Sequence, residues 1–154
     1  MDPPKDRTLV RIALAQVGVN ILYQVLENVA YLGQHGIIRR SERQQARDWV
    51  WSSRFWAAHV LLEFVRLWRV RVLWDRRDAE GEAKEEGEEK EKEAKVKRKE
   101  EVSAWWREFL INACYAPMTI HWSVESGTLS DEWVGILGAI AGAIGLREMW
   151  KKSA

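Results

Sequence analysis

Three places in the sequence carry residue types that could do chemistry, and none forms a complete site. His59 and Glu63 lie one helical turn apart, but the zinc-protease pattern needs a second histidine and a third ligand. His121 adjoins Trp122 in an apolar run, which favours a packing or interface role. Cys114, the single cysteine, has no cationic neighbour in sequence to activate it as a nucleophile. We therefore predict a protein that is not an enzyme, with no catalytic, cofactor-binding or metal-binding residues and no cofactor.

The segment around His59 has the periodicity of a long helix, predicted from Trp49 to Trp74. Its polar residues Ser52, His59, Glu63 and Arg66 recur at three- and four-residue steps and predict a narrow polar seam. Its last turns combine cations with tryptophan, a mixture suited to a membrane interface, where arginine side chains extend toward the headgroups. The predicted membrane-interface residues are Arg66, Trp68, Arg69, Arg71 and Trp74.

A second helix is predicted at the C-terminal end, where Trp133 to Leu146 holds only Trp, Val, Ile, Leu, Ala and Gly. Ser126-Gly127 marks a turn before it, and Asp131 and Glu132 suit its N-terminus. Glycine is unfavourable in a solvated helix, so its small residues predict close helix association, in lipid or inside a soluble bundle. They are Gly135, Gly138, Ala139, Gly142 and Gly145.

No stretch passes a strict test for a membrane span, which needs about 20 mainly apolar residues. The apolar part of the Gly-rich helix has 14, the uncharged run from Phe109 to Val124 has 16, and Ile12 to Leu26 has 15 with three amide side chains. We rank the Gly-rich helix as the best candidate transmembrane span. The cations directly after it would bias its C-terminus to the cytosol.

The N-terminal part predicts another helix, from Thr8 to Leu32, which is apolar on one side and amide-rich on the other. Such a helix buries one face and wets the other, or pairs its amides with a neighbour. The basic stretch from Ile37 to Asp48 follows it. This stretch reads as a solvated connection or as a contact to anionic lipid headgroups. Nucleic-acid binding is disfavoured because no binding motif accompanies it and the net charge of the chain is +1.

Between Asp75 and Glu101 the chain is low-complexity, with 12 acidic and 9 basic side chains. It lacks the apolar residues that a core needs, so we predict a solvated linker that is either disordered or, in its second half, a single exposed helix. The predicted organisation is an N-terminal helical pair (1–74), a charged linker (75–101) and a C-terminal helical region (102–154). The fold class is all-α, a membrane-associated bundle of about four main helices.

The two ends of the sequence carry no familiar address. MDPPKD lacks the basic start followed by an apolar region that a secretory signal needs. The chain ends in KKSA, which differs from the peroxisomal-lumen signal Ser-Lys-Leu. A membrane protein with this sequence would need another targeting signal.

Four stretches resemble one family in the family's own order. They are LYQVLENVAYLGQHGII from Leu22, RFWAAHVLLEFVRL from Arg54, NACYAPMTIHWSVE from Asn112 and LSDEWVGILGAIAGAIGLREMW from Leu129. Together they resemble the peroxisomal biogenesis factor 11 family over most of the chain outside the charged segment. None is a catalytic motif, so the resemblance depends on the length and order of helix-packing strings.

This resemblance implies a protein of the peroxisomal membrane that promotes peroxisome elongation, proliferation and fission. It also implies membrane lipids as partners, self-association into a homo-oligomer, and recruitment of fission machinery that includes a dynamin-like GTPase. Family members usually carry a basic amphipathic region before the LYQVLENVAYL block, but here about twenty residues precede Leu22, with Lys5, Arg7 and Arg11 as cations. The alternative is a helical adaptor that does not remodel membranes.

Overall fold

The computed structural model describes residues 6–80 and 88–153. They form four helices: α1 (Arg7–Gln34), α2 (Glu42–Glu80), α3 (Glu88–Trp122) and α4 (Asp131–Ser153). No strand occurs in these two ranges. The predicted all-α class with four main helices is confirmed. Gly81 to Gly87, in the middle of the predicted linker, lie outside the described residues.

The first helix begins and ends at residues that its sequence marks. The carboxylate of Asp6 accepts hydrogen bonds from the backbone N–H groups of Thr8 and Leu9, both at 3.0 Å, which satisfies two donors that a helix start leaves free. After Gln34 the chain turns at Gly36, whose φ of 68° is unfavourable for residues with a side chain. The Asp6 cap and the Gly36 turn thus bound α1, which is 28 residues long.

The second helix begins earlier than the sequence suggested. Ser41 and Gln44 form a reciprocal capping box, in which the backbone N–H of Ser41 donates to Gln44 Oε1 at 3.0 Å and that of Gln44 donates to Ser41 Oγ at 3.4 Å. The basic stretch from Ile37 to Asp48 is therefore mostly the first turns of α2. An ion pair between Arg40 and Asp48, at 3.6 Å, supports this start.

The third helix absorbs part of the charged segment and a proline. It starts at Glu88 and continues into the apolar part of the chain, which is the helical one of the two alternatives that the Glu–Lys spacing left open for the second half of the segment. It also continues through Pro117 to Trp122. Proline removes one backbone donor, but the turns on both sides keep helical geometry here.

The turn between α3 and α4 is organised by His121 and Gly127. The backbone N–H groups of Thr128 and Leu129 both donate to His121 Nδ1 at 2.9 Å. Gly127 has a φ of 64°, and a Cβ there would lie 2.6 Å from the His121 ring. His121 therefore has a structural role in this turn, as the hydrogen-bond acceptor for two backbone N–H groups.

The helices form an open series rather than a closed bundle. Each packs against the next in sequence, and within residues 6–80 and 88–153 no close backbone approach joins α1 to α3 or α4, or α2 to α4. The buried apolar side chains are few and spread along the series. They are Ile12, Ala30, Val60, Leu67, Met118 and Ala141. Many large apolar side chains on all four helices are exposed in this arrangement, so they need another partner than this core.

Candidate membrane-interaction surface

The outward face of α1 is an exposed apolar stripe. Leu14, Val17, Ile21 and Val25 recur at three- and four-residue steps and are between 53% and 67% exposed. A contiguous exposed apolar surface of this kind marks a site that binds a protein partner or a membrane. Because the stripe lies on the side of α1 away from α2, nothing in the described chain covers it.

Helix α1 is also the one described helix that is long and apolar enough to cross a membrane by length and composition, with 6% of its most apolar window buried. The ranking of the Gly-rich helix as the best candidate span was wrong on this criterion. Two features explain the difference. Arg147 and Glu148 fall inside α4 and shorten its apolar part, and the four glycines of α4 add length with almost no hydropathy.

The inward face of α1 carries polar groups that pair with α2. Gln16 Nε2 donates to Glu63 Oε2 at 2.6 Å, and the guanidinium of Arg66 bonds both oxygens of Glu63. Arg66 also pairs with Glu108 on α3. These four side chains connect three helices at one level, so the second alternative for the α1 amides, pairing with a neighbour, holds for Gln16.

A second ionic contact joins the start of α1 to α2. Arg69 pairs with Asp6, with 2.7 Å between Arg69 Nη2 and Asp6 Oδ2. The hydrogen bond from Arg69, with that of the Leu9 N–H, lowers the pKa of Asp6 to about 2, and Asp6 raises the pKa of Arg69. The same carboxylate therefore caps α1 and ties it to α2.

The five residues predicted for the membrane interface lie in different environments. Arg66 and Arg69 are held in the interhelical ion pairs described above. Trp68 is 65% exposed, and Arg71 makes an exposed pair with Asp75 at 3.4 Å. The Trp74 ring is covered by the Arg98 guanidinium at 4.4 Å. Of the five, Trp68 and Arg71 are the exposed ones. Membrane contact by these residues stays a prediction.

Of the small residues of α4 predicted for helix association, one packs against α3 and the others have free space around them. A Cβ added at Gly138 would lie 3.7 Å from Met118 Cε on α3, whereas one added at Gly135, Gly142 or Gly145 would meet nothing within 4 Å. Ala139 is exposed as well. Gly138 therefore belongs to the α3–α4 contact inside the chain. Association through the open residues stays a prediction.

An aromatic cluster that sequence reasoning missed joins α1, α2 and α3. The Trp56 ring lies 6.4 Å from that of Tyr23, 5.7 Å from Tyr115 and 5.6 Å from Trp122, the last of these stacked. The only sequence signal was the abundance of tryptophan, 10 residues in all. Abundance does not say which rings meet, because the contacts depend on how the helices are rotated against each other.

The residues considered for chemistry take structural places. His59 Nδ1 is buried and has no hydrogen-bond partner within the described chain, while its neighbour Glu63 is engaged by Gln16 and Arg66. Cys114 is a partly buried free thiol. Residues 6–80 and 88–153 contain no group of three or more His, Cys, Asp or Glu side chains that could hold a metal ion.

Four helices packed in an open series, with apolar side chains on the outer faces and ionic contacts between neighbours, define an all-α protein without a closed core. Comparison with known proteins makes the assignment specific. Residues 2–150 match the family model described as Peroxisomal biogenesis factor 11 (PEX11). The chain belongs to this family, as the four sequence stretches predicted.

A relative in Schizosaccharomyces pombe, itself described as an uncharacterized protein, is 31% identical over 132 residues. The match covers 85% of this chain and 55% of the yeast protein, so the chain spans about half the length of that relative. No solved structure matches the chain significantly. Family membership supports a role in peroxisome biogenesis or proliferation and association with the peroxisome. The family is one of biogenesis factors and is not known as an enzyme family.

Proposed function

We propose that this protein resides in the peroxisomal membrane and promotes elongation, proliferation and fission of the organelle by inserting into the membrane and associating with copies of itself. The observation that carries this proposal is the exposed apolar stripe of α1, formed by Leu14, Val17, Ile21 and Val25. In water such a stripe is unfavourable at about 25 cal/mol per Å² of apolar surface. Hydrocarbon removes that cost, and family membership names the organelle.

The polar contacts between helices fit an apolar surrounding. Side chains that face lipid cannot bond to water, so polar groups of a membrane-inserted helix are directed at its neighbours. Gln16 on α1 does this through Glu63, and Asp6 does so through Arg69. The exposed side of α1 between Leu14 and Val25 is mostly apolar, with Asn20 and Gln24 as its polar members, whereas a helix on the surface of a water-soluble protein exposes mainly polar groups.

We further propose that Trp68 and Arg71, with Arg66, Arg69 and Trp74 behind them, lie at the headgroup level of the membrane. Tryptophan satisfies both its apolar ring and its N–H in that layer, and each cation adds about 1 kcal/mol near an anionic surface. Several copies that wedge apolar helix faces into one leaflet would bend it. The open small residues of α4 would hold the copies together.

Recruitment of the fission machinery, including a dynamin-like GTPase, is the part of the proposal that depends on the family resemblance alone. Fission requires that machinery because a wedge elongates a membrane without severing it. Co-precipitation of a dynamin-like GTPase from detergent extracts of peroxisomes, lost on deleting this chain, is the measurement for this part.

The function is tested by raising expression of the chain and counting and measuring peroxisomes by fluorescence microscopy. We expect elongated or more numerous peroxisomes, and a chain that resists alkaline carbonate extraction. The double variant Trp68→Ala, Arg71→Glu should reduce binding to anionic liposomes most at low salt, because screening weakens the electrostatic part. It is a cleaner probe than changing Arg66 or Arg69, whose loss would break interhelical pairs.

A chain that is soluble without detergent, ignores anionic liposomes and leaves peroxisome number and shape unchanged would refute the proposal. That combination would favour the adaptor, in which the exposed apolar faces bind protein partners instead of lipid.

A further inference from the structure

A part-open cavity of about 360 Å³ lies where α1, α2 and the end of α3 meet. Four of the side chains that line it are aromatic: Tyr23, Trp49, Trp56 and Trp122. The cavity is also lined by the carboxylate side chain of Glu27, one helical turn after Tyr23. The cavity is therefore a set of ring faces and edges with one carboxylate among them.

The carboxylate of Glu27 is only partly engaged. Tyr23 Oη donates to Glu27 Oε1 at 2.9 Å, and no Lys or Arg of the described chain forms an ion pair with it. A half-buried anion next to aromatic rings attracts a cation from outside. Aromatic rings with a nearby negative charge are the arrangement that proteins use for quaternary ammonium groups, through cation–π attraction to the ring faces.

A second, larger cleft of about 970 Å³ adjoins this cavity and shares Val50 and Trp122 with it. Arg43 and Arg47, one helical turn apart on α2, line the cleft and make no ion pair within the described residues. Glu125 lines it too, so the two guanidinium groups leave a net positive charge. Arginine is well suited to phosphate because its donors match two phosphate oxygens at once.

We propose that the two cavities together bind the phosphocholine headgroup of phosphatidylcholine. The trimethylammonium group occupies the aromatic cavity beside Glu27, and the phosphate lies in the cleft with Arg43 and Arg47. A cation site and an anion site that share the wall formed by Val50 and Trp122 match a zwitterion whose two charges are covalently linked. The proposal rests on the membrane association proposed above and goes beyond it by naming the lipid class.

The position of the cavities along α1 agrees with a bound lipid. The exposed apolar stripe runs from Leu14 to Val25, about 16 Å at 1.5 Å per residue, and Tyr23 and Glu27 stand at its far end. A headgroup at that level lets the acyl chains run along the uncovered faces of the helices. A soluble phosphocholine compound would use the same polar contacts without these apolar ones, so lipid is the favoured source.

The test uses the full chain, purified in a maltoside detergent that contains no choline. Dihexanoyl phosphatidylcholine is titrated below its micelle concentration, and saturation transfer from the protein to its methyl protons is measured by NMR. Dihexanoyl phosphatidylethanolamine and free phosphocholine are the competitors. The variants are Glu27→Gln, Trp49→Ala and Arg47→Gln, and Trp51→Ala is the matched control. Trp51 is an exposed tryptophan two residues from Trp49 and lines neither cavity.

We expect saturable transfer, with each of the three variants weakening binding about fivefold and Trp51→Ala leaving it unchanged. Circular dichroism checks that the variants keep their helicity, and the isosteric Glu27→Gln variant answers the question if Trp49→Ala does not fold. Phosphatidylethanolamine should compete at least tenfold less well, because it lacks the methyl groups that the rings contact.

Three results would overturn the proposal. They are transfer that does not saturate, equal competition by phosphatidylethanolamine, and equal effects of Trp49→Ala and Trp51→Ala. If free phosphocholine competes as well as the lipid, the ligand is a soluble phosphocholine compound and the assignment to lipid fails. Peroxisome number and shape are measured separately, so loss of the proposed function would not be mistaken for loss of this site.

Discussion

Replacing the outward stripe of α1 should release the chain from membranes without unfolding it. The perturbation is the triple variant Leu14→Asn, Val17→Asn, Ile21→Asn, which leaves the net charge unchanged. In the folded chain these side chains are 67%, 57% and 57% exposed, so they contribute little to the core. Asparagine lowers helix propensity by at most a few tenths of a kcal/mol at each position.

The expected loss of membrane affinity follows from those exposed fractions. Full burial of a Val, Leu or Ile side chain is worth about 1.5–3 kcal/mol, and somewhat more than half of each is available to the membrane. The three changes together therefore remove roughly 3–5 kcal/mol of apolar transfer, which lowers the partition coefficient between about a hundredfold and nearly ten-thousandfold. Desolvation of the introduced amides adds to this loss.

The assay is liposome flotation together with alkaline carbonate extraction of peroxisomes, with helicity followed by circular dichroism. A matched control changes three exposed polar positions of the same helix, Asn20→Gln, Gln24→Asn and Asn28→Gln. The control should float and resist extraction like the parent chain. If the Asn triple variant is folded and still floats like the control, the outward stripe is not the membrane contact and the reasoning fails.

Three further outcomes are expected. Because the pKa of Asp6 falls from 3.8 in the unfolded chain to about 2 in the fold, its pairing with Arg69 stabilises the fold above pH 3.8, and this stabilisation is lost as the pH falls through about 2. Urea unfolding of Asp6→Asn between pH 5 and pH 2 should show a flatter pH dependence than the parent chain. Gly138→Leu should disturb the docking of α4 on α3 and lower the thermal midpoint of unfolding. Gly142→Leu should leave that midpoint unchanged and weaken only crosslinking between copies. If Gly142→Leu has no effect on crosslinking, the small size of Gly142 is incidental to self-association. Deleting Ala79 to Lys92 should leave helicity per residue and thermal unfolding of the remainder nearly unchanged, and a loss of cooperative unfolding would show that the segment packs.

Local signals in the sequence were sufficient for the helices and for the family. The long apolar periodicities predicted four helices and no strand. Ser126-Gly127 marked the turn before α4, where Gly127 takes a positive φ that glycine adopts without strain. The start of α2 was predicted too late. The capping box of Ser41 and Gln44 lies within a stretch of arginines, whose charge favoured a connecting segment over a helix start. Family membership followed from four sequence stretches in the family's order. Recognising them does not require knowing which face of each helix packs against a neighbour.

The direction of each face was decided only by the tertiary structure. A repeat of three and four residues defines two sides of α1 but does not say which side meets α2, and the stripe from Leu14 to Val25 turned out to be exposed. The pairing of Asp6 with Arg69, 63 residues away, depends on the rotation of α1 against α2. The aromatic cavity needs residues of three helices. Such contacts arise from the positions and rotations of whole helices, and no local stretch of sequence encodes those.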